Sequence, residues 1–312
     1  MDNEITEMKI SDAIATFGEK TGSHISVALA KPESPKAVLL IIHGMNEHKE
    51  RYYDFMKFLA EHSIASIICD NRGHGKSINS PEYLGYVGDG GLMVLNSLFL
   101  LKFSQNFFKR IPHFILGHSM GSLIARCVIQ TCGQKVDGLF LVGTPCYTRL
   151  SPLADIVEKE LEKNLGEKYR SELINEWSEN LLNLKFGGVP HSWICSDVSV
   201  VNEFNNDPLC NFVYTLNGYK ALIQLMRRAN NAEMYNAEEK NPSMMIHLMS
   251  GKDDPCMLSE EKFFETVKFM EYVGYRNVTH KLYTGMRHEV LNETDKLQVW
   301  NDIIDKIKTV IN

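Results

Sequence analysis

Phe114-Ile115-Leu116 runs straight into Gly117-His118-Ser119-Met120-Gly121, and then into Ser122-Leu123-Ile124-Ala125-Arg126-Cys127-Val128-Ile129. An apolar run, a tight turn bounded by glycines and a segment able to continue as a helix leave few arrangements open. The strand must end where the helix begins, with one serine on the turn between them. G-x-S-x-G in this setting lifts a serine hydroxyl off the carboxyl edge of a sheet. The flanking glycines remove side chains that would collide with the adjoining strand and helix. Ser119 is therefore the candidate nucleophile.

The rest of the chain supplies a sheet for such a turn. Apolar runs predict strands at His24–Ala30, Ala37–His43, Ile64–Asp70, His113–Gly117, Gly138–Val142, Met244–Ser250 and Val278–Tyr283. Several are continuous Ile/Leu/Val runs, as strands covered on both faces require. Helices are predicted between them at Arg51–His62, Asp89–Lys109, Ser122–Cys132, Glu260–Val273 and Asp295–Ile311. This alternation implies a mainly parallel sheet with helices on both sides. From Tyr147 to Tyr214 no strand pattern is present. Leu153–Leu161 and Lys168–Leu182 are amphipathic, and a glycine- and aromatic-containing stretch, Phe186 to Trp193, follows. The segment reads as a helical cap, residues 147–214, inserted into a core of residues 1–146 and 215–312, with Thr144-Pro145 leaving the sheet edge. Its apolar residues, Leu153, Ile156, Leu161, Leu173, Ile174, Trp177, Leu181, Leu182 and Trp193, mostly pack the cap itself.

An acid and a histidine follow Ser119 in the chain. Gly251-Lys252-Asp253-Asp254-Pro255 comes directly after an apolar run, so either aspartate stands near the same sheet edge as the turn. Gly285-Met286-Arg287-His288-Glu289 follows the last predicted strand. Serine is a poor nucleophile at neutral pH, so a histidine must take its proton as it attacks, and a carboxylate must orient that histidine. The order serine, aspartate, histidine fits one triad architecture. His43, His48 and His74 precede the serine, and His118 adjoins it and packs behind the turn.

Composition narrows the setting. The chain has 312 residues, 44% hydrophobic and 23% charged, with a net charge of −6. A core of that size needs no disulfide or metal to hold it. No basic run is present to neutralise phosphates, which argues against nucleic-acid partners. The acidic start lacks the basic and apolar regions of a signal peptide. The apolar stretch Leu92–Phe103 is broken by Asn96, Ser97 and Lys102 and is too short to span a bilayer. Seven cysteines with no C-x-x-C pair read as reduced thiols of a cytoplasmic protein, so Asn277-Val278-Thr279 and Asn292-Glu293-Thr294 are chance sequons.

His43-Gly44-Met45-Asn46-Glu47-His48 closes a strand and turns sharply. It reads as an oxyanion loop, with the backbone N–H of Met45 pairing with that of Met120. A metal site at His43, Glu47 and His48 is disfavoured, because their spacing is one residue too wide for H-x-x-E-H and no helix carries them. Asp70-Asn71-Arg72-Gly73-His74-Gly75-Lys76-Ser77 ends like a phosphate loop, but the glycine such a loop needs is Asp70. A structural turn held by Asp70 and Arg72 is expected.

With these segments in hand, the chain resembles the monoacylglycerol lipase and lysophospholipase group of the α/β-hydrolase superfamily, also called serine aminopeptidase-like, from about Ile25 to Lys306. His43–His48 is similar to the group's HGxxEH segment, Asp70–Ser77 to its D-x-RGHG-x-S loop, Gly117–Gly121 to its GHSMG elbow and Asp207-Pro208-Leu209 to its DPL turn. Arg287-His288-Glu289 with Asn292-Glu293 is similar to the RHE-x-x-NE form of bacterial lysophospholipase members. The resemblance implies an α/β-hydrolase fold with a mostly parallel eight-stranded sheet flanked by helices, and Asp254 rather than Asp253 as the acid. It implies a serine hydrolase with Ser119, Asp254 and His288 as its triad, and no cofactor or metal. The implied substrate is a small-molecule acyl ester or lipid, and the cap would supply an apolar channel and meet a membrane surface transiently.

Two other functions are weighed against this one. A proline-iminopeptidase-like peptidase would need a carboxylate cluster in the cap; Glu158, Glu160 and Glu162 are available but read as a solvated helix face. A non-catalytic ligand sensor would keep the fold without the chemistry. Oligomeric state has no signature in the sequence.

Overall fold

The computed structural model describes residues 4–11, 24–147, 152–187 and 189–311. Eight strands form one sheet: β1 (Ile5–Ser11), β2 (His24–Ala30), β3 (Ala37–Ile42), β4 (Ile64–Cys69), β5 (His113–His118), β6 (Gly138–Val142), β7 (Met245–Gly251) and β8 (Asn277–Tyr283). Their order is β1-β2-β4-β3-β5-β6-β7-β8. β1 and β2 pair antiparallel with each other, and β2 with β4; every pairing from β4 through β8 is parallel. The expected mostly parallel eight-stranded sheet flanked by helices is what the chain forms.

The period of two along each strand divides the core. Val38, Leu40 and Ile42 of β3 join one apolar cluster, and Leu39 and Ile41 join the other. The first cluster holds α2 (Gly90–Phe107) and α3 (Met120–Cys132), and the second holds α1 (Tyr53–Glu61). β3 through β7 are buried along their whole length, which accounts for their unbroken apolar runs.

Among the described residues four α-helices lie between β6 and β7: α4 (Pro152–Glu162), α5 (Glu172–Asn183), α6 (Val198–Asn206) and α7 (Leu216–Ala229). α8 (Glu260–Tyr272) and α9 (Lys296–Ile311) close the chain. Among the described residues no helix is long and apolar enough to cross a membrane. No disulfide joins the seven cysteines, all of which lie among the described residues.

Most predicted elements stand within two residues of their expected ends. Three differences have physical causes. β1 lies at the sheet edge with Thr6, Glu7 and Lys9 exposed and Ile5 and Met8 half-buried, so it lacks the apolar run that marks the central strands. The helix expected from Arg51 begins as a 3₁₀ turn over Lys49–Tyr52. The helix expected from Lys168 starts at Glu172, because the Ser171 side chain caps it by accepting from Ile174 N, while Arg170 bridges to Thr215. α6 and α7 were not expected. Residues 148–151 of the expected cap, and the side chains of Leu153 and Glu162, lie outside the described residues.

Candidate active site

Ser119 stands between β5 and α3 with φ 51° and ψ −121°, a conformation that side chains rarely adopt. The turn is held by the sheet beside it. Ser119 N donates to Val142 O at 2.9 Å, and Ser122 Oγ donates to Ser119 O at 2.6 Å. The glycines are required by close approach. A Cβ on Gly121 would lie 2.0 Å from Ile42 O, and one on Gly117 would lie 2.3 Å from Gly121 O.

Asp254 follows β7 and His288 follows β8, so parallel neighbours deliver both to the same sheet edge as the elbow. His288 Nδ1 lies 3.0 Å from each carboxylate oxygen of Asp254. The carboxylate also accepts from Ser250 Oγ at 3.0 Å and from Cys256 N at 2.8 Å. Both residues are buried, whereas Asp253 is exposed. A proton on Nδ1, donated to Asp254, leaves Nε2 as the basic nitrogen.

Ser119, His288, Met45 and Met120 all line one cavity of about 1140 Å³. Trp177, Leu181 and Leu182 of α5 and Leu222 and Met226 of α7 give it apolar walls. Of the other apolar residues between β6 and β7, Trp193 also lines the cavity, Ile174 packs inward with Ile156 and Leu161, and Leu173 is exposed.

His118 packs behind the elbow and also reaches the cavity lining. Its Nδ1 lies 2.7 Å from Glu47 Oε1, and its ring centroid lies 4.9 Å from that of His288. Burial opposes charge on both partners. Their mutual attraction outweighs it, lowering the Glu47 pKa and raising that of His118. Glu47 also accepts from Gly44 N and from Tyr52 Oη. Arg51 lies 3.5 Å from Glu47 and makes a two-pronged contact with Glu289 at 2.6 and 2.7 Å. A buried chain of alternating charge, His118–Glu47–Arg51–Glu289, thus links the residue before Ser119 to the residue after His288. Neither the pairing nor the chain was apparent from sequence, because Glu47 and His118, and Arg51 and Glu289, are far apart in the chain.

The other histidines of the loops are scaffolding. His43 Nε2 accepts from Asn71 N at 2.8 Å, and burial lowers its pKa to about 4. His74 Nδ1 donates to Arg72 O at 2.8 Å, and burial lowers its pKa to about 3. His48 reaches Glu50 at 2.7 Å and Asp207 at 2.8 Å. His43, Glu47 and His48 therefore point to different partners rather than to one ion. Asp70 accepts from Lys49 N and Lys76 N at 2.8 Å each, which holds the expected turn, and Arg72 Nε donates to Val87 O at 3.2 Å.

Of the carboxylates weighed for amine recognition, Glu158 and Glu160 do not line the cavity. Glu158 is exposed beside Arg227, and Glu160 is not solvated as expected but buried against Lys163 and Ser171. Glu176 and Glu179 of α5 line the cavity instead. Helical spacing does not single them out, because every residue from Asn175 to Asn183 lines the cavity.

A family model described as "Serine aminopeptidase, S33" matches residues 33–295. The "Monoglyceride lipase" of Rattus norvegicus is 25% identical over 294 residues, covering 93% of this chain and 88% of that protein. Among solved structures, a thermostable carboxyl esterase from Bacillus coagulans in complex with glycerol superposes with a TM-score of 0.86 at 25% identity, covering 99% of each chain. A soluble variant of the monoglyceride lipase from Saccharomyces cerevisiae, in complex with a substrate analog, has a TM-score of 0.71 at 17% identity over 98% of this chain and 96% of that one, a likeness of fold. The family match takes in the elbow, both strand-end residues that meet at 3.0 Å and the helices over the cavity: this chain is an α/β hydrolase and belongs to the serine aminopeptidase S33 family of hydrolases.

Proposed function

We propose that the protein is a serine carboxylester hydrolase that cleaves the acyl ester of a monoacylglycerol or lysophospholipid through an acyl-enzyme intermediate. The observation that carries the reading is the Asp254–His288 contact, which opens on the same cavity as the strained Ser119. In the proposed reaction Ser119 Oγ attacks the acyl carbonyl carbon while His288 Nε2 takes the serine proton. The carbonyl oxygen gathers negative charge against the N–H groups of Met45 and Met120. Collapse releases the alcohol, which leaves with the proton from His288. Water, activated by the same imidazole, then attacks the acyl-serine and frees the fatty acid. No cofactor enters this scheme.

Residues 147–214 are proposed as the cap over a core of residues 1–146 and 215–312. At about 1140 Å³ the cavity exceeds the usual small-ligand range of roughly 300–1,000 Å³ and offers apolar walls to an acyl chain. Exposed Leu173, Leu184, Val189 and Val198 give the cap an apolar exterior suited to transient contact with a lipid surface.

Glu176 and Glu179 favour one second reading, an aminopeptidase that holds a substrate amine against these carboxylates. A substrate panel separates the two. Purified protein and Ser119→Ala are assayed on p-nitrophenyl esters from C2 to C16, a monoacylglycerol, a lysophosphatidylcholine and a proline aminopeptidase substrate. Ser119-dependent fatty-acid release from either glycerol lipid is expected. Turnover of the amine substrate alone would replace the ester reading with the peptidase one.

A further inference from the structure

The loop that carries His288 is tied to the cap through the backbone N–H groups of both neighbouring residues, directly from Glu289 and by way of Glu293 from Arg287. Glu289 N donates to Ile194 O at 2.7 Å, and Arg287 N donates to Glu293 Oε1 at 2.8 Å. Glu293 is 1% exposed, so its carboxylate is cut off from water. It is satisfied instead by the cap: Ser196 N donates to Oε1 at 2.9 Å, and Ser196 Oγ donates to Oε2. The Arg287 guanidinium reaches back over the same segment, to Ser192 O and to Cys195 O at 3.1 Å, and stacks on Phe186 at 4.3 Å. Trp193, in the middle of the segment, lies against the His288 ring at 5.0 Å.

A buried carboxylate stripped of its donors is strongly disfavoured, so this one depends on loop and cap staying together. Its donors are the N–H of Arg287, the residue before His288, and two groups of one cap serine. That juxtaposition couples the imidazole to residues 192–196 more directly than a general packing contact would.

We propose that Glu293 is a positioning residue: by bridging Arg287 N to Ser196 it fixes the His288 imidazole relative to Ser119, and it makes cap residues 192–196 a fixed part of the active site. The inference rests on the triad assignment above. A motion that carried residues 192–196 away would break the Glu293 and Ile194 bonds and displace the base, so access to the cavity comes from movement elsewhere in the cap.

The role is one of hydrogen-bond geometry, not charge. A glutamine at this position can accept both N–H groups through its oxygen and donate its amide to Ser196 Oγ. Glu293→Ala therefore lowers kcat about 100-fold on a soluble p-nitrophenyl ester, the scale expected for misplacement of a reacting group by about 1 Å. KM stays within about twofold, since the acyl channel is untouched. Glu293→Gln restores kcat to within about threefold. The acid limb of the kcat/KM profile moves in Glu293→Ala and returns in Glu293→Gln. Wild-type kcat in Glu293→Ala would overturn the proposal, as would a Gln variant as impaired as the Ala one.

Should Glu293→Ala fail to fold, Ser196→Ala and Arg287→Met serve in its place. Each is expected to lower kcat about five- to tenfold at unchanged KM, the cost of roughly one hydrogen bond in placing the base. Wild-type kcat in both would also overturn it. Ser119→Ala is run alongside. A fully active Ser119→Ala refutes the triad itself, whereas an inactive Ser119→Ala beside an unaffected Glu293→Ala refutes only the positioning role.

Discussion

Asp254 meets His288 Nδ1 with both of its oxygens at 3.0 Å, while its neighbour Asp253 is exposed. The backbone explains the difference. Asp254 caps the short turn Pro255–Met257 by accepting from Cys256 N, which turns its side chain into the protein, and Asp253 N is spent on Met286 O at 3.0 Å. Asp254→Asn would present either the wrong dipole or the wrong histidine tautomer. It is expected to lower kcat by about 10⁴-fold, the loss seen when a triad carboxylate becomes an amide. Asp253→Asn is expected to leave kcat within about twofold. Steady-state kinetics on both variants checks the pair, and the reverse ranking would reassign the acid.

The backbone at Ser119 separates strain from chemistry. Its φ of 51° and ψ of −121° hold a side chain where about 1–3 kcal/mol of strain is expected. Ser119→Ala removes the hydroxyl but keeps the strain; Ser119→Gly removes both, at about 0.4–1 kcal/mol of extra unfolded-state entropy. Both variants should be inactive, and the glycine form should be the more stable by on the order of 1 kcal/mol in urea titration. Equal stability would mean that the turn is relaxed.

The elbow and the strand ends were legible in the sequence because each is local. Gly117 to Gly121 sits between an apolar run and a helix, and Asp254 and His288 each follow a strand by a few residues. What was not legible is pairing at a distance. Nothing local to Glu47 says that its carboxylate meets His118, 71 residues on, or that Arg51 reaches Glu289. Helical periodicity likewise does not say that Glu176 and Glu179 turn toward a cavity while Glu160 packs against Ser171. β1 was hidden for a different reason: an edge strand with exposed Thr6, Glu7 and Lys9 carries the polar pattern of a tail.

The Glu47–His118 pair sets a pH signature. His118 has a raised folded pKa, so its contribution is complete below its ordinary value of 6.5 and is lost as pH rises through the folded value. Glu47 has a lowered one, so its contribution is complete above its ordinary value of 4.5 and is lost only as pH falls through the folded value. Both are complete between 4.5 and 6.5. Glu47→Gln should therefore destabilise the protein most in that window, by about 3 kcal/mol as for a broken buried pair. The gap should narrow at pH 9. Urea titrations of both proteins at pH 5.5 and 9 test this; a gap that widens with pH would place the pair in another charge state.

Glu179 offers a test that separates the two proposed readings. Its carboxylate accepts from Trp193 Nε1 at 3.3 Å and lies 3.4 Å from His191 Nε2. His191 Nδ1 donates to Asn205 Oδ1 at 2.6 Å, so the ring needs a proton on both nitrogens to satisfy both neighbours. Burial opposes that charge, but Glu179 and Asn205 outweigh it, and the His191 pKa is raised. Below that pKa the histidine neutralises Glu179; above it the cavity carries a bare carboxylate. An amine-bearing substrate should then gain in kcat/KM as pH rises through the raised value, beyond what the triad gives a glycerol ester over the same range. Glu179→Gln keeps an acceptor for Trp193 and removes the charge. On the ester reading it leaves monoacylglycerol turnover within about twofold at every pH. On the aminopeptidase reading it raises KM for the amine substrate at least about tenfold, the order of one charge-assisted hydrogen bond. Equal losses on both substrates would assign the Glu179 charge to the support of His191 rather than to recognition.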